Sequence, residues 1–178
     1  MLNPRLKFSR LAAAAGTAIS LAAGVAGAAE QIGEAKAVID SATAEGNVGE
    51  RALVSGAEVF FGERVKTDSV GEAQLLFKDG TRMVIGPNSN LVLDQYVFRS
   101  GAADNQFVVR AFSGAFRFIT GSGPKDAYLI HTPAATIGVR GTSFDFSVTP
   151  GETNLLLMHG GATVCSNDGN CVWADVAQ

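Results

Sequence analysis

His131, Ser143 and Asp145 lie close together in the run HTPAATIGVRGTSFDFSV, residues 131–148, and Ser113 is a second candidate hydroxyl. A histidine that takes a proton from a serine hydroxyl, itself oriented by a carboxylate, is the arrangement of acyl-transfer catalysis. The surroundings point elsewhere. No Gly-x-Ser-x-Gly elbow is present. His131 and His159 are the only histidines, and neither is spaced from another histidine or a cysteine as a metal ligand would be. Gly121-Ser122-Gly123 lacks the following lysine of a phosphate-binding loop, and no helical pattern follows it. The residues predict no catalytic group, no metal and no cofactor.

The same run reads more simply as architecture. Pro133 holds Thr132 extended and cannot donate to a ladder, so these two residues should end or break a strand. Gly138 and Gly141 interrupt a strand-like pattern, where glycine marks a bulge, a bend or a close backbone approach. Thr142 sits at the same corner, and Phe144 returns the chain to the core. Arg140 is expected to satisfy loop carbonyls at the corner or to pair with an acid such as Asp145. The alternative is that Arg140 clamps a ligand carboxylate.

The elements that must position this corner are strands. Ala73, Leu75 and Phe77 alternate with Glu72, Gln74 and Lys78, Phe116 and Phe118 flank Arg117, and Phe144, Phe146 and Val148 alternate with Asp145 and Ser147. Period-two alternation of this kind is the mark of a strand with one wet face. Turn residues punctuate the strands at short intervals: Asp79-Gly80, Gly86-Pro87-Asn88, residues 99–105, residues 120–126 and Pro150-Gly151. The pattern predicts an all-β fold, a single antiparallel two-layer roll or sandwich of about ten to thirteen short strands. Residues 29–45 are expected to be a frayed lead-in and 46–178 the domain proper. Phe60, Phe61, Leu76, Tyr96, Phe98 and Trp173 are expected either to form a platform for a protein or sugar or to supply the second layer of the core.

The first 28 residues read as a secretory signal peptide. Arg5, Lys7 and Arg10 precede the apolar run from Leu11 to Val25, and Ala26-Gly27-Ala28 offers small residues for cleavage. The expected location is periplasmic or secreted, with an uncleaved anchor as the alternative. Loss of the leader changes the totals from 14 basic and 17 acidic residues to 11 and 17. An acidic surface argues against nucleic acid and anionic lipid as partners. Cys165 and Cys171 flank Ser166-Asn167-Asp168-Gly169-Asn170. A three-residue hairpin loop at 167–169 pairs Ser166 with Asn170 and sets the two cysteines opposite each other, which predicts a cross-strand disulfide.

TPAATIGVRGTSFDFSV, preceded by FKDGTRMVIGPNSNLVLD and SGAFRFITG, resembles the FecR domain over roughly Val38 to Val164. Asp79, Gly80, Pro87 and Asn88 carry its turn motif, and Thr132, Pro133, Gly138, Arg140, Gly141, Thr142 and Phe144 carry its corner. The resemblance implies a compact periplasmic β-roll that acts through protein contact and has no catalytic residues. Regulators of the signalling type place a cytoplasmic anti-sigma segment before a membrane helix. Here ten residues precede the apolar run, so direct sigma-factor antagonism of the iron-uptake type is not expected. The expected function is a non-catalytic binding or scaffold module with an envelope protein partner. A glycan or small-molecule binding roll is the alternative.

Overall fold

The structure is a computed structural model that describes residues 29–47, 49–97 and 105–176. The expected signal peptide, Phe98 and most of the 99–105 turn lie outside the described residues. Among the described residues thirteen strands are present: β1 (Gln31–Ile39), β2 (Ala42–Gly46), β3 (Gly49–Ala52), β4 (Glu58–Phe60), β5 (Arg64–Thr67), β6 (Glu72–Phe77), β7 (Arg82–Ile85), β8 (Asn90–Val97), β9 (Gln106–Ile119), β10 (Tyr128–His131), β11 (Ala135–Val148), β12 (Thr153–Ser166) and β13 (Cys171–Asp175). The all-β expectation holds. Burial in β6 alternates residue by residue, as its sequence requires.

Strand pairing divides the molecule into two layers that share their long strands. One layer runs β3-β2-β5-β8, then the first half of β9, β10, the first half of β11, the second half of β12, and β13. The other runs β4-β1-β6-β7, then the second halves of β9 and β11 and the first half of β12. A single core fills the space between them, with Tyr128, Phe118 and Phe144 almost fully buried. Phe107 meets Phe77 edge-on with ring centroids 4.8 Å apart, and Phe118 at 5.6 Å. Burying side chains of this size stabilises the fold by about 1.5–3 kcal/mol each.

Each long strand changes phase once on its way between layers. In β11 the inward set shifts from Ile137 and Val139 to Thr142, Phe144 and Phe146, because Arg140 and Gly141 are exposed in succession. The pairing with β12 slips at the same point. Gly141 has φ 61°, and Gly160 on β12 has φ 79°. A Cβ on Gly160 would lie 2.4 Å from the Gly141 carbonyl oxygen, so the two bulges nest only because that side chain is missing. In β9 the shift falls near Gly114.

Two expectations need correction. Residues 29–45 are not a frayed lead-in, because β1 and β2 pair within the sheets and bury Ile32, Ala35, Ala42 and Ala44. Small alanines gave a weak hydrophobic signal, yet they suit close approach of the layers. Nor is the sheet wholly antiparallel: β10 pairs parallel with β9, Tyr128 opposite Phe107. Residues 120–127 carry the chain from the end of β9 back beside its beginning, so β10 runs in the same direction.

Candidate functional site

The corner at Arg140 is built from backbone and hydroxyl groups. Thr142 N donates to Thr120 Oγ1 at 3.1 Å, and Thr120 N donates to the Thr142 carbonyl at 3.1 Å. Thr142 Oγ1 also donates to the His159 carbonyl, which ties β11 to β12 across the bulge. Phe144 is buried between Phe118 and Phe146. Arg140 departs from expectation. Its side chain is exposed, and its guanidinium carbon lies 6.0 Å from the Trp173 ring centroid. Asp145 is held instead by Arg117, whose Nε and Nη2 donate to its two oxygens at 2.7 and 2.8 Å. Those bonds keep the Asp145 carboxyl below its ordinary range and raise Arg117. Register explains the difference: Arg140 shares the outer face of the first layer with Gly138, Thr163 and Trp173, whereas Asp145 lies past the bulge in the second layer, directly opposite Arg117 on β9.

Thr132 and Pro133 lie at the opposite end of the first half of β11 from Arg140, so the motif residues do not converge on one site. Thr132 Oγ1 accepts from Ala135 N at 2.9 Å and lies 2.7 Å from Thr153 Oγ1. The Pro133 carbonyl accepts from Asn167 Nδ2 at 2.7 Å, which anchors the last hairpin. Gly138 sits on the outer face between Leu129 and Thr163. The Cys165–Cys171 disulfide is present, and the cysteines are cross-strand neighbours. His131 Nδ1 lies 3.0 Å from Thr136 Oγ1, its register partner on β11. Neither Ser143 nor Asp145 is in hydrogen-bond contact with it. Among the described residues, no group of three or more His, Cys, Asp or Glu could hold a metal ion.

The Asp79-Gly80 turn carries the densest polar network. Gly80 has φ 84°, the left-handed geometry of a tight hairpin. The buried Asp79 carboxylate accepts from Thr81 N at 3.0 Å, Thr81 Oγ1 at 2.6 Å and Tyr128 Oη at 3.0 Å. Asp79 N donates to Tyr96 Oη at 2.9 Å, and the Asp79 carbonyl accepts from Ser122. Burial first, and the Asp79 charge after it, push both tyrosines above their ordinary range. The second turn works similarly. Asn88 has φ 53°, Pro87 is exposed beside it, and Ser89 is buried with its amide on Thr67 Oγ1. Turn chemistry flagged Asp79, Gly80, Pro87 and Asn88, but nothing in the local sequence flags Tyr96, Tyr128 or Thr67 as their partners.

Two surface features remain. One is a groove of about 530 Å³ on the outer side of the second layer, lined in part by Val84, Arg117, Asp145 and Leu156. Arg140 does not line it. The other is the free edge of β12. β13 covers that edge only at residues 161–165, so Thr153-Asn154-Leu155-Leu156-Leu157-Met158-His159 pairs with β11 on one side and, among the described residues, with no strand on the other. Leu155 and Leu157 pack against the core, whereas Leu156 is 66% exposed and Met158 41%. A long, uncharged, apolar edge presents unpaired N–H and C=O groups to any added strand.

The family model described as FecR protein matches residues 63–163, more than half of the chain, and the chain belongs to that family. Its fold is shared with a candidate anti-sigma factor from Parabacteroides distasonis ATCC 8503, at TM-score 0.50 and 14% identity, over 63% of this chain and 50% of that one. A second structure of such a protein from the same organism gives 0.49 at the same identity and coverage. The chain spans about half the length of those structures. A structure described as a cell surface anchoring domain is 39% identical over 34% of this chain and 82% of its own, with a TM-score of 0.33. No curated protein matches.

Proposed function

We propose that this FecR-family chain is a non-catalytic binding module of the cell envelope, exported to the periplasm or beyond, and that it holds protein partners by strand addition to residues 153–159 of β12. The observation that carries this reading is the unguarded edge itself. Natural sheets protect their edges with charge, proline or brevity, and this one has none of the three. The leader-like first 28 residues and the disulfide support an oxidising compartment outside the cytoplasm. Among the described residues, no helix is long and apolar enough to cross a membrane. Partners of this edge would be proteins with an extended apolar segment, neither nucleic acid nor anionic lipid. Direct sigma-factor control is not part of the proposal, because the likeness to the anti-sigma structures shows fold alone.

A photo-crosslinking amino acid placed at Leu156, or at the exposed Gln95 on β8 as a control, tests the reading in intact cells. Protein adducts are expected from position 156 and not from 95. No adduct at 156, or equal adducts at both, refutes strand addition there. A second reading, a glycan or small-molecule ligand, draws support from the groove beside Arg117 and Asp145. Retention of a sugar by the wild-type chain and its loss on Val84→Asp would favour that reading instead.

A further inference from the structure

We infer that the β12 edge binds the same edge of a second copy of this chain, antiparallel, about a two-fold axis at Leu156. The inference rests on the reading of residues 153–159 as the contact surface and names the occupant of that surface.

The free window has fixed ends. On one side the chain enters β12 from a tight turn, where Thr149 N and Glu152 N each donate to the other's carbonyl, at 2.9 and 3.4 Å. On the other side Val176 N donates to the Gly160 carbonyl at 3.1 Å, so the end of the β13 segment already occupies that position. Among the described residues, the edge left open between these contacts is the stretch 153–159. A second copy supplies a strand of that same length, bounded by the same contacts.

The residues match themselves about Leu156. With Leu156 opposite Leu156, the other pairs are Leu155 with Leu157, Asn154 with Met158, and Thr153 with His159. No Asp, Glu, Lys or Arg occurs between 153 and 159, so this stretch of an otherwise acidic surface meets its copy without repulsion. Glu152 falls opposite Gly160 and meets no acid. Leu155 and Leu157 pack against the core, so their cross-copy pairs join the two cores through the interface. On the outer face Leu156 and Met158 cover each other's counterparts.

Closure gives the physical reason for a second copy. An isologous pair consumes both open edges and stops, whereas a head-to-tail contact leaves one edge free to grow. The sheet's other ends are ill suited to growth: β3 carries Glu50 and Arg51, β4 spans only Glu58–Phe60, and β13 is short and ends on Asp175.

Sedimentation velocity on the full chain tests this. The wild type is expected to run as a dimer. L156K and L156E should each weaken the dimer by at least about tenfold, because like charges then face each other at the axis. An equimolar mixture of the two should recover dimer, since ammonium and carboxylate meet there. Unchanged circular dichroism separates these outcomes from misfolding. A wild-type monomer whose position 156 crosslinks to another envelope protein overturns the second-copy inference and leaves strand addition standing. A dimer that survives both substitutions, with no adduct at 156, overturns both.

Discussion

Around Asp79 the chain buries polar side chains, whereas along the first half of β12 it exposes apolar ones. Both depart from the ordinary rule of burial, and for opposite reasons. A buried polar group is tolerable only when every donor and acceptor is matched. Thr81 supplies matches for Asp79 from the same turn, and Tyr96, Ser122 and Tyr128 supply the rest from farther along the chain. Among the described residues no buried side-chain polar atom lacks a partner. At β12, Leu156 and Met158 lie on a strand whose second edge no neighbour fills among the described residues. The Asp79 network serves stability, and contact is the role proposed for the β12 edge.

Substitutions should separate these two roles. Asp79→Ala leaves the Thr81 amide and hydroxyl and the Tyr128 hydroxyl unmatched in a buried site, so chemical denaturation should report a loss of about 3–5 kcal/mol. Association through β12 should persist wherever the chain remains folded. Replacing Cys165 and Cys171 with serine opens a small loop, and the expected loss is about 2 kcal/mol in the same assay. Hydrogen exchange should then rise first along β13, which among the described residues pairs only with β12. Arg140→Ala removes an exposed side chain whose partner is the Trp173 ring, so stability should change by no more than about 0.5 kcal/mol. A larger loss there would make the corner a stabilising site after all. Arg117→Gln should alter stability least, yet carboxyl NMR should show Asp145 titrating at higher pH than in the wild type. Because the Asp145 pKa is depressed in the folded state, the pair stabilises above the ordinary carboxylate range and loses that contribution as pH falls through the depressed value.

Much of the fold is legible from local pattern. The alternation in EAQLLF and SFDFSV sets their inward faces, and Asp79-Gly80 specifies a hairpin through a left-handed glycine. The spacing of Cys165 and Cys171 around 167–169 places them opposite each other. Alanine-rich β1 and β2 were less legible, because small residues give little hydrophobic signal while packing tightly. The corner run HTPAATIGVRGTSFDFSV reads correctly as a bent strand, but the partner of Arg140 does not follow from it. Asp145 is taken by Arg117, its register partner on β9, and Trp173 reaches Arg140 from β13, pairings of distant strands that local sequence does not determine.

The sequence by itself determined the strands, their inward faces and the last disulfide hairpin, because each depends on residues a few positions apart. Tertiary structure alone decided that β10 lies parallel to β9, that two tyrosines enclose Asp79, and that β13 stops short of covering β12. Those outcomes depend on which distant strands become neighbours, and an edge is defined by the neighbour it lacks.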